Sequence, residues 1–178
     1  MPIIVVGGSG RNVGKTSLVC GLISALLEFE WTAVKVTSHA HGGREPVWEE
    51  TTPGSKTDTG RFLAAAALRA FLVTAHEDDL PIAKTWAALG SDVNVIFESN
   101  RIVGALKADL CIAVIRGSGT ESKPSFEPFC RCADAFVIPV DGDVGELQLP
   151  LPATLFRLPN FDRVSPEMLD WLRVRLAQ

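Results

Sequence analysis

The chain has 178 residues, 47% hydrophobic and 21% charged, with 17 basic against 21 acidic side chains and a formal charge of −4. That length builds one domain, residues 1–178, with a real core, and the composition excludes a disordered chain. The mild acidity argues against a general nucleic-acid binder, which needs a basic face. No apolar run reaches the roughly 18–20 residues that a membrane helix requires.

Residues 2–6 are apolar, but the run is short, stops at Gly7 and Gly8, and follows no basic residue. A secretory leader is therefore not expected, and a cytoplasmic location is. The four cysteines agree with a reducing compartment. Cys20 and Cys111 lie in apolar runs and are expected to pack as small hydrophobes. Cys130-Arg131-Cys132 lacks the spacing and the companions of a zinc site.

In chain order, residues 3–6 (IIVV) read as a strand buried on both faces. Residues 15–29 repeat Leu18, Leu22, Leu26 and Val19, Ile23, Leu27 at helical spacing. Residues 32–37 (TAVKVT) read as a second strand, and 39–55 as an exposed loop rich in Gly, Pro, Glu and Thr. The alanine run at 64–67 predicts a helix over 58–73, and 80–89 a further helix. Residues 93–97, 110–115, 135–140 and 153–158 read as strands, and 117–128 as a long surface loop. Ser165-Pro166-Glu167 starts a last helix with Leu169, Leu172 and Leu176 as its stripe. The alternation predicts an α/β fold: a mainly parallel sheet with helices on both faces.

The strongest motif is Gly8-Ser9-Gly10-Arg11-Asn12-Val13-Gly14-Lys15-Thr16-Ser17, placed between a buried strand and an amphipathic helix. A phosphate-binding loop needs that context: small residues let several N–H groups face one phosphate, and the new helix adds its unpaired N–H groups and dipole. Lys15 would reach the β- and γ-phosphates and Thr16 would give its hydroxyl to Mg2+. The pattern GxxxxGK[ST] has glycine where this chain has Ser9, with Gly8 and Gly10 flanking it. Arg11 reads either as a phosphate contact or as a solvated side chain.

Glu98 closes a second apolar strand. It suits a carboxylate that holds Mg2+ through water or orients an attacking water, or one that caps the next segment. His39 and His41 alternate in a polar loop with no acid or cysteine indicated nearby. No Asn-Lys-x-Asp guanine reader occurs. Asp143, or less favourably Asp141, either reads the base or serves a turn.

With these motifs placed, the chain resembles the molybdopterin-guanine dinucleotide biosynthesis adaptor (MobB) family of the P-loop nucleoside triphosphate hydrolase superfamily. The resemblance rests on the phosphate loop, then Val34-Lys35-Val36-Thr37-Ser38-His39, and then Pro53-Gly54-Ser55-Lys56-Thr57-Asp58-Thr59 before an Ala-rich helix. It continues through Ile96-Phe97-Glu98, Val114-Ile115-Arg116 and Val140-Asp141-Gly142-Asp143-Val144. It departs at Val36 and Ser38, where histidine is common, at Ser99 in place of glycine, and at an apparent insertion over 43–52.

The resemblance implies GTP and Mg2+ binding, slow GTP hydrolysis, a homodimer, and a supporting role beside the guanylyltransferase that attaches GMP to molybdopterin. It carries the phosphate and Mg2+ roles to Lys15 and Thr16, places Lys35, His39 and Asp58 on the γ-phosphate side, and puts Glu98 at the strand end. Asp58 is equally explained as a helix N-cap. The preference for GTP over ATP rests on the resemblance. Two other readings fit the same loop: an ATP-dependent small-molecule kinase or ligase of the dethiobiotin synthetase type, and a nucleotide-gated binding module without useful turnover.

Overall fold

The computed structural model describes residues 1–38, 45–75, 79–91, 93–117, 124–143, 149–150 and 152–177. Its strands are β1 (Ile3–Gly8), β2 (Thr32–Thr37), β3 (Val47–Glu50), β4 (Arg69–Thr74), β5 (Val95–Glu98), β6 (Leu110–Val114), β7 (Ala135–Pro139) and β8 (Thr154–Leu158). The helices are α1 (Lys15–Ala25), α2 (Asp58–Ala64), α3 (Ile82–Leu89), α4 (Phe126–Arg131) and α5 (Pro166–Leu176). The strands form one sheet in the order β3-β4-β2-β5-β1-β6-β7-β8. Every neighbouring pair is parallel except β3 with β4.

Alternation along the strands divides the core in two. Ile4, Val6, Ala33, Ile96 and Ile112 pack under α1, α2 and α5, through Leu18, Leu22, Phe62, Met168 and Leu172. Val5, Val34, Phe97, Cys111 and Phe136 pack under α3 and α4, through Leu89, Phe126 and Phe129. Both faces of the sheet are thus covered, as the unbroken apolar strands require.

Four expectations are corrected. The helix over 15–29 ends at Ala25, and a separate 3-10 turn covers Leu27–Phe29. Leu26 leaves helical geometry at φ −124°, and its carbonyl accepts the Trp31 indole N–H at 3.0 Å. The helix over 58–73 stops at Ala64; Ala66 turns the chain at φ 77°, and the remainder is β4. Pairing on both edges and burial of Ala70, Phe71 and Val73 outweigh the helix preference of the alanines. The loop over 39–55 contains β3, an edge strand whose Glu49 pairs across the ladder with Arg69 at 2.8 Å. The loop over 117–128 gives way at Phe126 to α4, anchored by that buried ring.

Ser165 caps α5 as expected, accepting the Met168 N–H at 3.2 Å. The buried stripe of α5 is Met168 and Leu172, with Leu169 and Leu176 only partly covered. Burial pushes the Cys20 thiol up to about 11 and the Cys111 thiol up to about 12, as inert packing groups. Among the described residues no cluster of three metal-ligating side chains occurs, and no helix is long and apolar enough to cross a membrane.

Candidate functional site

β1 lies between β5 and β6, yet the chain leaves it for β2 on one side and later crosses to β6 on the other. The carboxyl ends of β2, β5, β1 and β6 therefore open side by side at the switch point where α/β sheets bind ligands. The loop after β1 sits there. Asn12 takes φ 56° and Gly14 takes φ 108°, and Gly14 caps α1. A Cβ on Gly14 would run into the Phe161 ring, so both backbone and space require glycine. Ser9 lacks the positive φ that would demand glycine, which is why serine is tolerated in the motif. Its N–H donates to Val114 O at 3.0 Å and ties the loop to β6.

Lys15 opens α1 and folds back so that Nζ donates to Gly10 O at 2.5 Å. Asn100, two residues beyond Glu98, donates to Gly8 O at 3.0 Å and accepts from Gly8 N at 2.7 Å. It locks the start of the loop to the turn after β5.

Parallel register places Lys35 beside Glu98 and Glu98 beside Val6. Thr16 Oγ1 donates to Glu98 Oε2 at 2.8 Å. Lys35 pairs with the other Glu98 oxygen and with Asp58 Oδ2, the latter at 3.0 Å. The Glu98 side chain is only 1% exposed. Burial alone would lower the Lys35 ammonium, but Glu98 and then Asp58 outweigh it and hold the pKa above its ordinary value. The α2 cap is Thr57, whose Oγ1 accepts the Gly60 N–H at 3.0 Å. The N-cap reading of Asp58 thereby gives way, and its carboxylate serves Lys35.

Glu50, on β3, is buried and organises the segment that carries Asp58. Its carboxylate accepts from Thr51 N, Thr52 N and Thr57 Oγ1 at 3.0–3.1 Å, and from Ser55 Oγ and Thr59 Oγ1 at 3.4 Å. Burial opposes ionisation, yet these donors together hold the carboxyl below its ordinary value. A depressed carboxylate stabilises the fold above the unfolded pKa, and that contribution disappears as pH falls through the folded value. Glu50→Gln is therefore expected to cost about 1–3 kcal/mol at neutral pH. The gap from wild type should close as urea denaturation is repeated below pH 4.5, the ordinary carboxyl value.

A cleft of about 1120 Å3 crosses this edge of the sheet. Of the residues expected at the site, Arg11, Asn12, Gly14, Lys15, Thr16, Ser17, Lys35, Asp58 and Glu98 all line it. Gly10 lends its carbonyl to Lys15, and Val13 is buried in the core. Asp143 is exposed beyond β7 and does not line the cleft. His39 and His41 lie outside the described residues. Lys56, Arg61, Arg101 and Arg116 also line the cleft, so seven basic side chains face two carboxylates. In a chain of net charge −4 this concentrates positive potential on one edge, as a multiply charged anion requires. Arg61 and Arg101 were not readable in advance, because they reach the cleft only through the folding of α2 and the turn after β5.

No protein-family model matches the chain, and no curated protein does. Solved structures do match. LpxK from Aquifex aeolicus, in complex with ATP, superposes with a TM-score of 0.56 at 18% identity over 88% of this chain and 53% of that one. This chain therefore spans about half the length of LpxK. A MobB protein homolog from Bacillus stearothermophilus superposes with a TM-score of 0.51 at 18% identity over the whole of both chains. The chain has the P-loop nucleotide-hydrolase fold. The MobB homolog among its structural neighbours agrees with the resemblance drawn from the sequence. At this identity the likeness speaks for the P-loop fold and leaves nucleotide and client to the site itself.

Proposed function

We propose that the cleft binds a nucleoside triphosphate with Mg2+ and hydrolyses it slowly. The observation that carries this is Lys15 and Thr16 at the head of α1, with Thr16 bonded to Glu98 across the switch point. Lys15 exchanges the Gly10 carbonyl for phosphate oxygens, and the loop N–H groups orient the β-phosphate. Lys35, kept charged by Glu98 and Asp58, faces the γ-phosphate side.

The Thr16 hydroxyl and Glu98 carboxylate form an all-oxygen donor pair, which fits a hard cation that takes its other ligands from phosphate and water. Mg2+, when bound there, offsets charge on the phosphate oxygens. Turnover is slow unless a partner completes the site with a group that orients the attacking water.

In the MobB-like reading the nucleotide is GTP, Asp143 is the base reader, and His39 joins the γ-phosphate side. The protein then acts as a homodimer supporting a molybdopterin guanylyltransferase, from a cytoplasmic location. The kinase or ligase reading draws on the ATP held by LpxK and on the surplus of cations in this cleft.

Displacement of labelled GTP by unlabelled GTP or ATP separates the two. Preferential displacement by GTP, with phosphate release that no acceptor stimulates, supports the adaptor. Preferential displacement by ATP, with acceptor-dependent ADP release, replaces it with the kinase or ligase. Tight binding without phosphate release leaves a nucleotide-gated module.

A further inference from the structure

The Glu98 carboxylate is almost fully buried and holds two groups of different kinds. Thr16 Oγ1 donates to Oε2 at 2.8 Å, and the Lys35 ammonium takes Oε1. The same ammonium reaches Asp58 Oδ2 at 3.0 Å, so it bridges carboxylates from β5 and from the start of α2. A divalent ion drawn to the oxygens of Thr16 and Glu98 therefore meets a cation already on that carboxylate. Beside the ammonium it is repelled, and in its place it parts the ammonium from its buried partner. Lys35 is the member of the group that can move. Its side chain is 19% exposed, lines the cleft and ends a flexible four-carbon stem.

A triphosphate changes that balance. Its oxygens give the displaced ammonium new anions to pair with, and they give the metal ligands that one carboxylate and one hydroxyl do not supply. We propose that Lys35 is a tethered substitute for the divalent ion: it holds the Glu98 position against metal in the nucleotide-free protein and yields it when a triphosphate arrives. Mg2+ then enters with the nucleotide rather than before it. This rests on the nucleotide reading above and names the regulation of that same site.

The test is a titration of Mn2+, which shares the oxygen-ligand preference of Mg2+, followed through the electron paramagnetic resonance signal of the free ion. Nucleotide-free Lys35→Met should bind Mn2+ at least tenfold more tightly than nucleotide-free wild type, and adding Glu98→Gln should abolish that gain. Wild type saturated with a non-hydrolysable triphosphate should hold Mn2+ at least tenfold more tightly than the same triphosphate does alone in solution. Lys35→Met is expected to lose stability, so urea denaturation with and without Mn2+ accompanies the titration. Mn2+ should raise the midpoint of Lys35→Met, or refold it where it is unfolded, and leave the wild-type midpoint nearly unchanged. Equal Mn2+ affinity in wild type and Lys35→Met, or a Lys35→Met chain that Mn2+ neither binds nor refolds, would overturn the role of Lys35 and leave the nucleotide site standing. Loaded wild type that holds Mn2+ no more tightly than the triphosphate alone would overturn the exchange. Failure of the triphosphate to bind, with the Mn2+ gain of Lys35→Met intact, would overturn the nucleotide reading and leave the block by Lys35.

Discussion

Lys15→Ala is expected to weaken triphosphate binding by at least ~100-fold while leaving the fold intact. A charge-assisted hydrogen bond contributes about 1.5–3 kcal/mol, and every 1.4 kcal/mol is about tenfold in affinity. Lys15 would serve both the β- and γ-phosphates, so its loss removes at least two such bonds. In the free protein its ammonium rests on the Gly10 carbonyl in a partly buried position. Far-ultraviolet circular dichroism and the urea midpoint should therefore stay close to wild type. A variant that binds nucleotide within threefold of wild type would remove Lys15 from the site.

Lys35→Met is expected to cost stability instead, by about 3–5 kcal/mol in urea denaturation. The Glu98 side chain is 1% exposed, and Lys35 is the cation paired with it among the described residues. Removing that cation strands a carboxylate in the interior with Thr16 as its remaining side-chain donor among the described residues. The pair makes the loss conditional: Lys35→Met combined with Glu98→Gln should recover at least half of it, because both charges leave together.

The sign with pH follows from the raised Lys35 value. The pair's contribution is complete below the ordinary 10.5 and fades as pH rises through the still higher folded value, so the variant's deficit should be constant from pH 6 to 9. A double variant no more stable than Lys35→Met would show that packing, not charge, dominates at this position.

Much of this arrangement could be read from residue order alone. The loop from Gly8 to Ser17, the strand TAVKVT and the acid ending β5 each carry a local pattern strong enough to place them. The sheet then sets Lys15, Thr16, Lys35 and Glu98 together by register. What could not be read depends on contacts distant in sequence. β4 hides behind an alanine run because its partners, β2 and β3, decide its state. β3 is short, acidic at two of four positions, and settles only as an edge strand against β4. Glu50 looks like one more surface acid until the turn of residues 51–59 closes around it. Asn100 gains its role only when β1 and β5 lie side by side.

The most direct test of the central claim is an equilibrium titration of the wild-type protein with a nucleoside triphosphate, with and without Mg2+. Saturable one-to-one binding per chain is expected, strengthened at least tenfold by Mg2+ and weakened when Thr16 is changed to Ala. Binding that ignores both Mg2+ and Thr16, or no binding at millimolar nucleotide, would contradict the assignment of this cleft.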